Sequence, residues 1–449
     1  MRLSHIAKPL QGKMLGTDAE FDGVATDTRQ PMPGKLFIAL QGPRFDGHDY
    51  LAQAQAQGAA AALVSKPVPG HLPQLQVADT RLGLGRLAKW WREHHFSGTL
   101  IGVTGSNGKT TVKEMLFSVL GGEPSVLKTA GNFNNDIGVP LTLLRLSPRH
   151  RFAVIEMGAN HAGEIAYCAG LAKPDIALIT NAGPAHLEGF GSIEGVAKAK
   201  GELISSLPNS GIAVLNADDH YFPYWKELAG SRGVVSFGRD KPAQVRALSV
   251  APLEFSQGRF HNRFVAEIMG ERLGLELPLA GQHNVSNALA VIAVAKAAGI
   301  EDDQIRTGLA EITPFPGRLH PLKGKRESWL LDDSYNANPA SFEAGLEALS
   351  ALSGEPWVIL GAFGELGPDS ETWHAKAGGA AKARGIRRLF AVGEPCQAAV
   401  KAFGGGGQYF DCQEALAETV AAQLHPKARI LIKGSRSQHL ERTVEALKA

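Results

Sequence analysis

The 449-residue chain holds only three cysteines, Cys168, Cys396 and Cys412, and no two of them share a C-x-x-C spacing. So sparse and odd a set excludes a disulfide framework and a cysteine-built metal site. It implies reduced thiols, expected as buried small hydrophobes, in a cytoplasmic protein. No uncharged apolar run reaches about 18 residues, so no membrane span is expected. The opening Met1-Arg2-Leu3-Ser4-His5 lacks the long apolar core of a secretory signal. Charge of one sign is not in excess either: 46 Lys and Arg stand against 44 Asp and Glu, a formal net of +2. That balance excludes a nucleic-acid protein held by bulk charge. Aromatic residues make up 7%, hydrophobic residues 44% and charged residues 20%, as in ordinary globular chains. The length alone sets a prior of about three domains.

What the chain does have is a chemical device. Thr104 to Thr111 read T-G-S-N-G-K-T-T, directly after the apolar run Leu100-Ile101-Gly102-Val103. A glycine-rich turn between a strand and a helix lets backbone N–H groups cradle phosphate oxygens, and the helix N-terminus favours the same negative charge. Gly105, Ser106, Asn107, Gly108 and Thr111 form the cradle. Lys109 can reach the outer phosphates, and Thr110 can hold a magnesium ion. The strict G-x-x-x-x-G-K-[ST] pattern wants glycine where Val103 stands, so the loop is a variant of its type.

The surrounding pattern predicts three α/β units: residues 1–80, 81–314 and 315–449. In the first, strands are expected near 35–40 and 60–64 and a helix over 50–57. A helix over 80–95 is expected to turn Leu82, Leu84, Leu87 and Trp91 inward. From Thr99 strands alternate with helices: 100–103, 152–157, 175–180 and 212–216 are apolar runs of strand length. Such runs indicate a mostly parallel mononucleotide-binding sheet buried on both faces. Glu156, Asn181, His186, Asn216 and Asp218 lie just past these strands, where open α/β sheets bind ligands. Residues 246–279 alternate apolar and polar positions and read as an antiparallel addition, followed by a helix over 281–298. Pro314-Phe315-Pro316-Gly317 is a stiff break. Strands expected at 329–332, 357–360, 388–392 and 429–432 then make a second, Rossmann-like doubly wound unit without a phosphate loop of its own.

Seven motifs occur in one order: V-T-G-S-N-G-K-T-T, G-N-F-N-N-D-I-G-V-P (131–140), E-M-G-A-N (156–160), N-A-G-P-A-H-L-E (181–188), L-N-A-D-D (215–219), G-Q-H-N-V-S-N-A-L-A (281–290) and D-S-Y-N-A-N-P (333–339). Together they resemble the Mur ligases, ATP-dependent amide-forming enzymes of peptidoglycan precursor synthesis. The resemblance spans essentially the whole chain. The E-M-G-A-N and Y-N-A-N-P versions are most similar to those of members that join D-alanyl-D-alanine to UDP-N-acetylmuramoyl-tripeptide. Members that add the third residue carry an Asp-Asn-Pro-Arg string, which is absent here. Folylpolyglutamate synthase, a more distant alternative, would leave the first 80 residues unexplained. A nucleotide-dependent binding protein without chemistry is the alternative of another class.

The resemblance implies that the γ-phosphoryl group of ATP activates a carboxylate, which an amine then attacks, releasing ADP and phosphate. It assigns Lys109 to the transferring phosphoryl group, and Thr110, Glu156 and His186 to magnesium, with His186 also near the chemistry. Lys200 matches a position that several members carbamylate. On the residues alone, Glu156 could equally cap a strand, His186 could be a loop histidine and Lys200 a solvated lysine, with Lys198 its neighbour. Asn284 and Asn287 are implied to address adenine with His283 packing nearby, although Asn284 could instead cap its helix. Arg318 and Asp333 are implied to reach ATP from the third unit, facing the phosphates and the ribose.

The segments T-D-T-R (26–29) and F-D-G-H-D-Y (45–50) resemble the family's uridine-diphosphate-sugar domain. They carry over Thr26, Asp27, Thr28, Arg29 and His48, with Asn134 and Asn135 as further substrate contacts. Arg29 could instead form a surface ion pair. Two positions depart from the pattern: Thr28 replaces the commoner serine, and Lys35 an acid. Asn336, Asn338, Lys433 and Arg436 are implied for the amine substrate, the two cations holding its carboxylate. In Gly361-Ala362-Phe363-Gly364-Glu365-Leu366-Gly367 the family's aspartate is replaced by Ala362. The expectation is a monomeric, cytoplasmic ligase.

Overall fold

Apolar runs become strands here where both faces can be covered. Thr99–Thr104 lies inside the middle sheet, paired on both sides and buried along almost its whole length. The computed structural model describes residues 1–449 apart from His71, Ala185, His186 and Glu365, and apart from the side chains of Leu187 and Glu188. The middle sheet runs Val126–Lys128, Phe152–Glu156, Thr99–Thr104, Ile176–Ile179, Ile212–Asn216, Gly233–Gly238, all parallel. Val126–Lys128 and Gly233–Gly238 were not expected. One is three residues long, and the other opens on glycine and contains Ser236, so neither shows an apolar run. Val245–Val250, Arg259–Ile268 and Glu271–Leu277 continue the sheet, the last two antiparallel, as the alternation over 246–279 implies. The helix Gln282–Ala297 is buried almost all round and fills the core against this sheet.

The third sheet runs His320–Lys323, Trp329–Asp333, Ala428–Lys433, Glu355–Gly361, Arg388–Val392, Gly407–Phe410. Only the first pairing is antiparallel. Both edge strands escape the sequence pattern: one contains Pro321, tolerated only at an edge, and the other begins in a glycine run. The first sheet runs Lys13–Leu15, Gln74–Gln76, Ala61–Val64, Leu36–Ile38, Val24–Ala25, parallel except at its first pair. The protein is thus an α/β molecule of three large sheets, with a two-stranded ribbon, Gln41–Gly42 against Phe45–Asp46, in the first unit.

The sheets share core. Helix Thr80–His95, capped by Asp79, gives Leu84 and Leu87 to the first core and Ala88 to the second. Leu82 does not join that face; it is 47% exposed. It sits two residues before Leu84, outside the three- and four-residue spacing that links 84, 87, 88 and 91. Phe260, from the antiparallel extension of the middle sheet, is fully buried in the core of the third. Cys168 and Cys396 are buried as expected, and burial pushes both thiols up to about 12. Cys412 is exposed, because it lies outside its helix at the position preceding Gln413–Gln423.

Candidate functional site

The phosphate loop is shaped by what lies behind it. Gly108 takes φ +85°, a left-handed value that favours glycine, and a Cβ there would stand 2.5 Å from Asn287 Oδ1. At Gly105 a Cβ would stand 1.9 Å from Thr180 Oγ1. The loop hangs on the segment after strand Ile176–Ile179. Asn181 accepts from Ser106 N–H through its carbonyl (3.0 Å) and from Asn107 N–H through Oδ1 (2.9 Å), while Thr180 Oγ1 donates to Asn107 O (2.6 Å). That segment is clamped by L-N-A-D-D: Asn216 Nδ2 donates to Thr180 O (2.9 Å), and Asp219 accepts from Ala182 N–H (2.8 Å). Asp218 accepts from the backbone N–H groups of Arg239, Asp240 and Lys241. The motif therefore supports the loop from behind.

Helix Lys109–Val119 opens the site with its N-terminus. Lys109 is half-buried, and its ammonium folds back to Gly105 O at 2.6 Å. Desolvation lowers its pKa; Glu156 opposes that shift, and Arg318 adds to it. Thr110 Oγ1 donates to Glu156 Oε2 at 3.2 Å, whereas Thr111 is buried in the helix's packed face. Glu156, at the end of its strand, is buried and receives Asn134 Nδ2 on Oε1 at 2.8 Å. A buried carboxylate beside a hydroxyl at a helix N-terminus is a hard-oxygen donor pair of the kind magnesium takes, so Thr110 and Glu156 fit that ion. Among the described residues no cluster of three His, Cys, Asp or Glu forms a metal site. His186 lies outside the described residues. Asn135 lies just before helix Gly138–Leu143, its Oδ1 accepting from Gly138 N–H at 2.8 Å.

Two lysines at this floor differ from their neighbours. Lys113 is a residue the motifs did not single out. It is buried, donates to Gly131 O at 3.2 Å, and stands 3.8 Å from Glu156 Oε2. Its signal in the sequence is a lysine one turn after Lys109, on the face that carries Val112 and Leu116. Lys200 is buried beneath Phe190, its ammonium 5.6 Å from the ring centroid. Desolvation first, then repulsion from Lys109, lowers its pKa to about 7. Lys198 is exposed and paired with Glu194 at 2.7 Å, so the solvated-lysine reading describes Lys198 and not Lys200.

The third sheet closes over the loop. Arg318 Nη2 reaches Thr110 Oγ1 at 3.4 Å, and Asn338 Nδ2 donates to Asn107 Oδ1 at 2.9 Å. Asn338 also caps helix Pro339–Ser350 through a reciprocal bond pair with Ser341. Asp333 and Lys433, on paired strand ends, form a buried ion pair at 2.6 Å, and Lys433 also donates to Asn336 O at 2.9 Å. Burial raises the Asp333 carboxyl and lowers the Lys433 ammonium, and each charge offsets the other's penalty. Lys433 is thus engaged in holding Asp333. Arg436 is exposed and pairs with Glu441 at 3.1 Å. The Asn336 side chain is exposed at the same turn, its Oδ1 accepting from Ala337 N–H at 2.9 Å. Ala362 is buried against Gly393, and its carbonyl accepts from Ser435 N–H at 3.0 Å, so the strand end is tied by backbone where the family places a carboxylate.

Asn284 and Asn287 are buried behind the loop. Asn287 Nδ2 donates to Asn284 Oδ1 (3.0 Å), and Asn284 Nδ2 to Ala280 O (2.8 Å), so Asn284 does not cap its helix through an N–H. The His283 ring packs on Gly281. In the first unit, Arg29 and Asp27 form an exposed ion pair at 2.7 Å, the surface alternative for Arg29. Thr26 precedes that pair, and Thr28 Oγ1 donates to Gln53 Oε1 at 3.2 Å. His48 is buried: Nε2 accepts from Ser65 N–H at 2.8 Å, so Nδ1 carries the proton toward Asp46 Oδ1 at 2.5 Å. Both ring nitrogens are occupied within the fold.

Family models match three stretches: the Mur ligase family catalytic domain over residues 20–90, the Mur ligase middle domain over 103–295, and the Mur ligase glutamate ligase domain over 317–436. The chain is 44% identical over 453 residues to the UDP-N-acetylmuramoyl-tripeptide–D-alanyl-D-alanine ligase of Escherichia coli K12, covering 99% of this chain and 98% of that protein. A crystal structure of MurF from Acinetobacter baumannii superposes with a TM-score of 0.91 at 34% identity, over 98% of this chain and 97% of that one. The MurF ligase of Thermotoga maritima, solved in complex with ADP, superposes with a TM-score of 0.83 at 28% identity, over 94% and 96%.

Proposed function

Since the chain belongs to the Mur ligase family, we propose that it joins D-alanyl-D-alanine to UDP-N-acetylmuramoyl-tripeptide at the expense of ATP. Similarity along nearly the whole chain to ligases named for that reaction carries the reading. Those names do not favour the third-residue alternative.

The phosphate loop binds the triphosphate through its backbone N–H groups, and Lys109 turns from Gly105 O to the outer phosphates. Thr110 and Glu156, with His186, would hold magnesium, which supplies positive charge where two anions must approach. Arg318 brings a second fixed cation from the third domain, so the charge needed for phosphoryl transfer assembles only when that domain is closed over the loop. The tripeptide carboxylate takes the γ-phosphoryl group, the dipeptide amine attacks the resulting acyl phosphate, and phosphate leaves. Lys200 is proposed to be carbamylated: with its pKa near 7 the neutral amine that adds carbon dioxide is abundant at neutral pH. Asn284, Asn287 and Asp333 are proposed for adenosine, Thr26 to Arg29 for the uridine nucleotide, and Asn336, Asn338 and Arg436 for the dipeptide. Loop and closing residues come from one chain, so a monomer suffices. Among the described residues no helix is long and apolar enough to cross a membrane, and we place the enzyme in the cytoplasm, where ATP is.

A phosphate-release panel tests this, pairing nucleotide di- and tripeptides with single amino acids and dipeptides. Release with amide product is expected only for the tripeptide with D-alanyl-D-alanine. Turnover of the nucleotide dipeptide with a single amino acid would instead make it the third-residue ligase, and ATP binding with no amide from any pair would sink the ligase reading.

A further inference from the structure

Tyr335 stands between two arginines that serve opposite ends of the site. The Arg318 guanidinium lies 4.4 Å from its ring centroid and the Arg436 guanidinium 5.7 Å. Both are within the range where a cation is attracted to an aromatic face. Among the described residues the Arg318 guanidinium has no carboxylate within ion-pair distance, and its only hydrogen bond is the 3.4 Å approach to Thr110 Oγ1. The ring is therefore what holds a long, flexible side chain over the phosphate loop.

The backbone that carries the ring is tied on both sides. Tyr335 N–H donates to Gly317 O (3.2 Å), and Gly317 N–H to Asp332 Oδ2 (2.8 Å). The other oxygen of Asp332 accepts from the Ser334 hydroxyl (2.6 Å) and N–H (3.1 Å). Gly317 takes φ +72°, and a Cβ there would come within 2.8 Å of Tyr335 Cβ, so glycine is what lets the two segments close. Arg318 follows Gly317 directly, and Arg436 lies past the strand paired with Trp329–Asp333.

We propose that Tyr335 is a positioning residue that couples the nucleotide-phosphate end of the site to the acceptor end, by carrying Arg318 on its ring and Arg436 beside it. The assignment of the two ends rests on the ligase reading above. Loss of the ring frees Arg318 and leaves Arg436 with Glu441 alone, which draws it away from the site, whereas loss of the hydroxyl alone changes neither.

The test compares Tyr335→Leu with Tyr335→Phe by calorimetric titration of a non-hydrolysable ATP analogue with magnesium and of D-alanyl-D-alanine. KM for ATP and for the dipeptide follows, with melting curves confirming folding. Tyr335→Leu is expected to weaken both ligands about fivefold to tenfold. Both KM values should rise while kcat falls less, and Tyr335→Phe should stay within about twofold of wild type. Unchanged nucleotide affinity in Tyr335→Leu, a loss confined to one ligand, or equal damage from Tyr335→Phe overturns the proposal. Tyr335→Met takes the same readings if the leucine variant does not fold. If the wild type forms no amide, the ligase reading fails, and the two binding titrations still decide whether Tyr335 holds its arginines.

Discussion

Lysine is costly to bury, and Lys113, Lys200 and Lys433 are each almost wholly buried here. They differ in what offsets the cost. Lys433 has Asp333 at 2.6 Å, and Lys113 has Gly131 O with Glu114 and Glu156 nearby. Lys200 has, among the described residues, no carboxylate within ion-pair distance, only the Phe190 ring. Its folded pKa of about 7 lies below the ordinary 10.5. Between those values the unfolded chain keeps a proton that the folded chain has released, so stability rises with pH across that window. Below it both states are protonated and the full penalty of the buried charge remains, on the order of a few kcal/mol. In buffer free of carbon dioxide, Lys200→Met should therefore raise the urea midpoint clearly at pH 6 and much less at pH 10; an equal gain at both would show that Lys200 does not titrate there. In turnover, small carboxylic acids should partly restore Lys200→Ala if a carbamate is the working form, and no rescue at any concentration counts against it. The sequence pointed to Lys200 but could not separate it from Lys198, since both lie on one helix and only packing tells which face is inward. It offered Lys433 as a substrate contact, because its partner Asp333 stands 100 residues away.

Strands and helices were legible where burial is two-sided and contiguous. Thr99–Thr104, Phe152–Glu156 and Ile176–Ile179 announce themselves as apolar runs, and the helix Gln282–Ala297 by length and alanine. Val126–Lys128, His320–Lys323 and Gly407–Phe410 are short strands stabilised by pairing partners rather than by their own composition. The phosphate loop is legible as a motif, but its rigidity comes from Thr180, Asn181 and Asn287 pressing on it. Gly108→Ala should accordingly do more than strain one φ. The methyl would meet Asn287 Oδ1 at 2.5 Å, and the left-handed backbone adds roughly 1–2 kcal/mol. The expected outcome is at least about a tenfold loss of ATP-analogue affinity with an unchanged far-ultraviolet dichroism spectrum. Wild-type affinity in that variant would mean the loop yields more freely than its packing implies.

The three sheets are joined by pieces that belong to one by sequence and to another by packing. Phe260 is the clearest case: its ring sits 5.0 Å from Phe255, which in turn meets Trp329 edge-on at 5.1 Å, inside the third core. Phe260→Ala should cost about 3–5 kcal/mol and separate the third domain from the middle one. Calorimetry should then show two unfolding transitions where the wild type shows fewer, and a single lowered transition would contradict that interlock. At the start of the same strands whose ends hold Asp333 and Lys433, a crevice of about 450 Å³ lined by Phe255, Gln257, Trp329 and Arg429 contains none of the candidate residues. That crevice is thus not where the chemistry gathers. Contiguous residues sufficed to declare the phosphate loop, the α/β alternation and the family, because a backbone cradle and a buried strand are built from neighbours in the chain. The closed site was not declared by any such stretch. Arg318 meets Thr110 across 208 residues and Asn338 meets Asn107 across 231. Contacts of that kind exist only once separate sheets have packed, and so it is packing that turns a nucleotide-binding loop into a site roofed by another domain.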